Sequence, residues 1–252
     1  MLHFDEIVYG PIHSRRLGSS LGVNLLPSKG KLCNFDCIYC ECGWNRDNFS
    51  NGVFPTPEQF EAALRSALEH ISADGTALDS ITFSGNGEPT LNPWFPQIVD
   101  ITLSLRDALA PKAKVTVLSN ATTCGKPAVL EALKKVDNPV MKIDAPSSAL
   151  AQLINKPSCL YDTARVVGHL KAFGGNFILQ TMFLRSDGFD SASPESLSGW
   201  MAIVRELRPR QIMAYSIDRE TPQKALHRYS HDEIAAFVKP LSDEGFDILI
   251  TA

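Results

Sequence analysis

The sequence contains no long apolar run. Its longest nearly apolar stretch, Phe177–Leu184, falls far short of the roughly 20 residues that a bilayer-crossing helix needs. The first residues, MLHFDEIVYG, offer neither a basic segment nor an apolar one, so no secretory leader is expected. A large excess of charge of one sign is also lacking. A net charge of −4 gives no global footprint for DNA. There is no low-complexity tract, long linker or internal repeat, which argues against disordered and solenoid architectures. The six histidines are scattered along the chain, and no metal is assigned to them. Cysteine is sparse as well: there are six, none before Cys33, yet four fall between Cys33 and Cys42.

What is present is an ordinary globular composition, 44% hydrophobic and 21% charged, sufficient to fill a full-sized core. A cytosolic location is expected. In that compartment, clustered cysteines serve metals or catalysis more often than disulfides. Charge is unevenly spread. Residues 1–31 carry four basic groups (Arg15, Arg16, Lys29, Lys31) against two acidic ones, and residues 205–228 carry six against three. A polyanionic substrate stays open beside the simpler account of a solvated surface.

Short apolar runs alternate with longer amphipathic ones. Strand-length runs occur at Leu21–Leu25, Ser80–Phe83, Lys114–Leu118, Val140–Ile143, Phe177–Phe183, Gln211–Tyr215 and Phe246–Ile250. Several are almost continuously apolar, as strands covered on both faces should be. Helix starts are marked between them. Thr56-Pro57-Glu58-Gln59 and Ser230-His231-Asp232-Glu233 are capping boxes, while Asn92-Pro93 and Ser193-Pro194-Glu195 predict two more starts. Further helices are expected over about 127–136 and 161–173.

This order predicts one α/β domain over 1–252, a partial (β/α)6 barrel with parallel strands. Residues 1–20 are expected to be an N-terminal extension, 21–220 the barrel core, and 221–252 a C-terminal helix and strand. Ligands of parallel barrels bind at the carboxyl ends of the strands. The unusual polar residues fall at those ends: Ser84-Gly85-Asn86-Gly87-Glu88, Ser119-Asn120, Asp144, Gln180, and Ser216 with Asp218 and Arg219. The cysteine loop follows the first of these strands, so all should converge on one mouth.

The loop reads KLCNFDCIYCECG. Structural zinc favours four ligands in two close pairs separated by a longer loop, and Cys33, Cys37, Cys40 and Cys42 are not arranged that way. Three thiolates from one short loop can instead hold three corners of a cubane iron–sulfur cluster and leave the fourth iron open. Cys42, one residue beyond Cys40, would crowd the same cubane and is expected to be a neighbouring thiol.

CNFDCIYC resembles the signature of the radical S-adenosylmethionine (SAM) enzymes. SGNGEPT, about 45 residues later at the end of the second barrel strand, resembles that superfamily's Gly-Gly-Glu motif. The resemblance implies a 4Fe–4S cluster on Cys33, Cys37 and Cys40, with the amino and carboxylate groups of SAM on the open iron. It places Tyr39 along the adenine and the methionyl ammonium on Asn86, Gly87 and Glu88. Ser119, Asn120 and Asp144 fall where the family contacts ribose or carboxylate, and Gln180 and Ser216 at later strand ends facing the same pocket. The implied reaction is reductive cleavage of SAM to a 5′-deoxyadenosyl radical, which takes hydrogen from a substrate. An external one-electron donor of flavodoxin or ferredoxin type is then needed.

YGPIHSRRLGSSLGVNLLP, FSGNGEPTLNP and AYSIDRETP further resemble a subgroup related to the tRNA wybutosine enzyme. The upstream cysteines of that enzyme's second cluster have no counterpart here. An RNA base, a protein glycyl-radical site or a small molecule remain as substrate classes, with tRNA or a partner protein as binding partner. The contrasting expectation is an iron–sulfur or zinc module without turnover. Arg15, Arg16 and Arg219 are candidates for gripping phosphate or carboxylate. Cys124 is expected near the mouth, and Cys159 buried in a helical stretch.

Overall fold

The computed structural model describes residues 4–47, 50 and 52–252. The first half runs β1 (Val8–Ser14), β2 (Gly18–Val23), α1 (Pro57–Ala73), β3 (Ser80–Phe83), α2 (Phe95–Leu109), β4 (Lys114–Ser119), α3 (Pro127–Lys135) and β5 (Asn138–Lys142). After it come α4 (Ser148–Ile154), α5 (Thr163–Leu170), β6 (Ile178–Met182), β7 (Leu184–Ser186), β8 (Phe189–Asp190) and α6 (Pro194–Leu207). The chain ends with β9 (Gln211–Tyr215), β10 (His227–Arg228), α7 (His231–Asp243) and β11 (Ile248–Thr251).

Strands β1-β2-β3-β4-β5-β6-β9-β11 form one sheet in that order, and β10-β7-β8 a small second one. From β2 to β11 every pairing is parallel; β1 alone runs antiparallel, against β2. The sheet curls into a half-barrel. Six β/α units, begun by β2, β3, β4, β5, β6 and β9, end on β11, as the alternation predicts. Strand side chains divide by parity. Leu21, Val23, Ile81, Phe83, Val115, Val117, Leu179 and Ile212 join the main core with Phe60, Leu64, Phe95, Ile98, Trp200 and Val204 from the helices. The opposite parity faces the lumen. There Val140, Ile178 and Met213 form a small apolar layer with Leu17, Leu118 and Leu249.

Both predicted capping boxes form, Thr56 with Gln59 and Ser230 with Glu233. Three expectations are corrected. The second helix opens at Phe95 rather than after Asn92, because the Asn92 amide donates to Leu25 O (2.8 Å) and accepts from Trp94 N (2.8 Å). The helix expected over 161–173 is α5 followed by a 3-10 turn at Lys171–Phe173. Cys159 is exposed, in the connection between α4 and α5. Four strands and one helix had no sequence signal strong enough to predict them. β1 has no apolar alternation and lies largely exposed, β7, β8 and β10 are two or three residues long, and α4 spans only seven.

Candidate functional site

The cysteine loop leaves β2 and closes on itself. Lys31 is buried, its Nζ donating to Gly43 O (2.8 Å) and lying 3.3 Å from Asp36 Oδ1. The same carboxylate accepts from Asn45 N (2.8 Å), and the Asn45 amide donates to the carbonyls of Cys33 and Phe35. Two contacts seat the closed loop. Leu32 makes a parallel bridge to Gly87, with Leu32 N donating to Asn86 O (2.8 Å) and Glu88 N to Leu32 O (3.1 Å). On the other side Asp36 N and Ile38 N donate to Asn155 O and Ile154 O at the end of α4. Gly87 must be glycine: its φ is 139°, and a Cβ there would lie 1.9 Å from Leu32 O.

All six cysteines are free thiols. Cys33 Sγ accepts from Phe35 N (3.4 Å) and the Asn120 amide (3.8 Å), and Cys37 Sγ from the Asn155 amide (3.4 Å). Burial and then Glu88 push the Cys33 thiol well up, while burial, Cys40 and Asp144 push Cys37 to about 12. Cys40 goes the other way, lowered by the neighbouring Cys42 thiol and the charge of Lys31. Cys42 donates to Gly85 O (3.4 Å), linking the cysteine loop to the Gly-Asn-Gly-Glu turn. Cys124 is buried in the main core, its thiol against Met141 Sδ (3.8 Å), and burial and then Glu88 push its pKa up.

Among the described residues, no three His, Cys, Asp or Glu side chains draw close enough to hold a metal ion. A single zinc would gather its sulfurs to about 2.3 Å from itself. A cubane spreads its cysteines over separate irons and asks for a wider set of thiols. Three free thiols on one tied loop, with N–H donors aimed at two of them and a buried lysine behind, fit that donor chemistry.

Glu88 is buried at the end of β3's turn. Its Oε1 accepts from Ser119 Oγ (2.9 Å), Thr90 N (3.1 Å) and Thr90 Oγ1 (2.5 Å), and its Oε2 from Asn120 N (2.7 Å). Burial still leaves its pKa raised, against the pull of Asn120, Thr90 and Ser119. The Asn120 amide spans from Asn34 Oδ1 (2.7 Å) to Cys33, so β4, β3 and the cysteine loop meet at one point. Ala121, just after, holds a left-handed φ of 63°, a strained conformation of the kind found where a rim must be aimed. The Asn86 amide turns elsewhere, to the backbone of Phe4 and Pro27.

Across the lumen, Asp144 gathers a second network. Its Oδ2 accepts from the Tyr39 hydroxyl and the Asn155 amide (2.7 Å), its Oδ1 accepts from Met182 N (2.9 Å), and Lys142 Nζ lies 3.4 Å from Oδ1. The Tyr39 ring packs with Ile38, Ile154, Met182 and Leu184. Lys142 also donates to the Tyr215 hydroxyl and lies over the rings of Tyr39 (5.2 Å) and Tyr215 (4.8 Å). Burial works against its charge, but Asp144 and then Tyr215 raise its pKa. Gln180 stands beside Lys142 in register on β6, on the lumen side. The Ser216 hydroxyl is spent inside the fold, donating to Phe183 O and accepting from Tyr229 N, both at 2.8 Å.

Lys142, Asn155 and Tyr215 have no place in the sequence-based site. Lys142 had a usable signal: a lysine in an apolar strand, on the same parity as Asp144 two residues on. Asn155 had none, because it reaches the site from the end of a helix that the sequence did not announce.

A thiolate loop bridged to a Gly-Asn-Gly-Glu turn at the carboxyl rim of a curled parallel sheet matches one known family model, the Radical SAM superfamily, over residues 28–190. The chain belongs to the radical SAM superfamily. It is 31% identical over 231 residues to a UPF0026 protein of Helicobacter pylori (strain ATCC 700392 / 26695), covering 90% of this chain and 71% of that one. Among solved structures it is similar to a radical SAM methyltransferase from Sphaerobacter thermophilus, with TM-score 0.69 and 16% identity over 92% of this chain and 65% of that one. It is also similar to Streptococcus suis SuiB bound to S-adenosylmethionine, with TM-score 0.61 and 16% identity over 92% of this chain and 46% of that one. The chain thus spans less than two thirds of these two solved enzymes, and at such identities they establish the fold, a radical SAM half-barrel. Superfamily membership implies SAM, an iron–sulfur cluster and an external electron donor. No helix among the described residues is long and apolar enough to cross a membrane.

Proposed function

We propose that this chain is a radical SAM enzyme, with a 4Fe–4S cluster on Cys33, Cys37 and Cys40 and SAM in the lumen at the carboxyl ends of the strands. The observation that carries this reading is the Leu32–Gly87 bridge, which sets the cysteine loop edge to edge with the Gly-Asn-Gly-Glu turn. When bound and reduced by one electron, the cluster with SAM supplies a 5′-deoxyadenosyl radical that abstracts hydrogen from the substrate.

The chain's own residues bind, orient and balance charge. Cys33 and Cys37 give up protons on ligation, at a cost set by their raised pKa values, while the N–H groups of Phe35, Asn120 and Asn155 stay directed at the sulfurs. Lys31 offsets the negative charge of the thiolates. Glu88, with the backbone of Asn86 and Gly87, receives the methionyl ammonium. Ser119, Asn120 and Asp144 serve ribose or carboxylate, Tyr39 walls the adenine, and Gln180 and Ser216 complete the later strand ends. Because the Asn86 amide, the Glu88 Oε1 and the Ser216 hydroxyl are already engaged within the fold, their first task in this reading is to hold the loops in position. The electron donor is of flavodoxin or ferredoxin type. The substrate is an RNA base, a protein glycyl-radical site or a small molecule.

Anaerobic reconstitution with iron and sulfide, then dithionite and SAM, is expected to yield 5′-deoxyadenosine and methionine, with Glu88→Ala strongly impaired. A reconstituted protein that binds no SAM, and in which Glu88→Ala behaves as wild type, is instead a metal-binding module without turnover.

A further inference from the structure

The turn between β1 and β2 lies outside the residues that match the family model, yet it reaches the lumen. Ser14 pairs with Gly18 across it, and the Ser14 hydroxyl accepts from Arg16 N and Leu17 N. Leu17 packs on the lumen layer of Val140, Ile178 and Met213, and Arg15 pairs with Asp218 (2.8 Å), in the loop after β9. The turn therefore joins the first strands of the open sheet to the last parallel ones. The Arg16 guanidinium lies over the Tyr215 ring, with Cζ 4.8 Å from its centroid. Its Nη1 is buried and has no hydrogen-bond partner.

Charge around this cleft does not balance. Arg15 is offset by Asp218, Arg219 by Glu41 and Lys142 by Asp144. Among the described residues no carboxylate pairs with Arg16, so one positive charge is left over, beside a second cation on the same tyrosine ring. A buried N–H of a guanidinium without an acceptor is costly, and an oxyanion is its natural partner. The cleft lined by Arg16, Tyr39, Met182, Tyr215 and Arg219 has a cavity volume of about 50 Å³, room for a group the size of one carboxylate or phosphate.

We infer that this cleft is a substrate subsite, in which Arg16 reads a carboxylate or phosphate on the molecule that reacts. The inference rests on the radical SAM reading, since it supplies the substrate for that same lumen. Arg16 comes from a strand pair at the end of the sheet remote from β9, so the subsite exists only when the hairpin is seated. An anionic substrate then helps to hold the half-barrel's open side together.

The test titrates inorganic phosphate and, separately, acetate into the anaerobically reconstituted full chain, with chloride at matched ionic strength as reference. Saturable thermal stabilisation beyond chloride is expected in wild type. Arg16→Gln should weaken the binding about tenfold or more, with Arg16→Lys recovering part of it. Arg15→Gln, whose charge Asp218 already offsets, should stay within about threefold of wild type. Preference for phosphate marks a phosphoryl substrate and preference for acetate a carboxylate. Stabilisation no greater than chloride's, or an Arg16→Gln variant equal to wild type, overturns the subsite. Phosphate that displaces SAM competitively also overturns it, by placing the anion on SAM's own carboxylate site. If wild type forms 5′-deoxyadenosine without the anion effect, the subsite fails and the radical reading stands. If an Arg16-dependent anion effect appears without 5′-deoxyadenosine, the radical reading fails and the anion site survives it.

Discussion

The two ends of the curled sheet both bury polar groups, and they use them differently. At the amino ends of the strands, Ser20, Thr82, Ser80 and Thr116 pass hydroxyl hydrogen bonds across β2, β3 and β4, and the Asn138 amide closes the row on Thr116. Below them Asp137 accepts from Arg106 (2.6 Å) and from Val115 N (2.8 Å), and Arg210 donates to the Asp137 carbonyl and to Asn138. These are closed circuits in which each group answers another. At the carboxyl ends the circuits stay open: thiols that accept N–H bonds, a guanidinium nitrogen with no acceptor, and two carboxylates that orient loops. Burial of polar groups therefore does not distinguish the ends. Unspent bonding capacity does.

Substitutions at three places sharpen that contrast. The largest effect is expected at the rim: Cys33→Ser, Cys37→Ser or Cys40→Ser should each drop iron content after reconstitution, and 5′-deoxyadenosine, to background. Cys42→Ser should keep most of its iron, because Cys42 binds Gly85 O and is a neighbour in this reading. Iron loss in Cys42→Ser equal to that of the other three would return it to the ligand set.

A smaller, mixed effect is expected where the two loops touch. Gly87→Ala drives a Cβ into Leu32 O at a φ that L residues avoid, and should cost about 3 kcal/mol in urea unfolding. Iron uptake should fall with it, because the cysteine loop loses its seat. Stability lost with iron uptake intact would separate the bridge from the site.

The smallest effect, confined to stability, belongs to the amino end. Asp137→Asn removes a carboxylate whose pKa is held down, against the effect of its burial, by Val115 N and Arg106. A depressed folded pKa adds stability above the unfolded value of about 3.9, and that stability is lost as pH falls through the lower folded one. The variant should be about 1 kcal/mol less stable at neutral pH, with the gap closing in acid and iron uptake unchanged. A gap that persists at low pH would assign the loss to packing rather than charge.

Much of this molecule was legible in its sequence. Parallel-sheet strands show as apolar runs because helices cover one face and the lumen the other, and all seven parallel strands of the large sheet were found that way. Capping boxes at Thr56 and Ser230 are local chemistry and formed as expected. Cys159 was misjudged because its surroundings, the end of α4 and the start of α5, depend on packing rather than periodicity.

By itself the sequence determined the βα order, the cysteine loop, the Gly-Asn-Gly-Glu turn and hence the superfamily. These rest on contacts within a few residues, on the period of apolar side chains, and on motifs whose chemistry is carried by residue type and spacing. Only the tertiary structure decided which polar side chains are spent and which are free. Asn86 and Ser216 turn out to be spent on the fold, while Lys142, Asn155 and Arg16 are drawn to the site. A side chain's partners depend on which distant strands the curl of the sheet brings face to face. That is why an arginine in the first hairpin meets a tyrosine on the ninth strand with one nitrogen still unanswered.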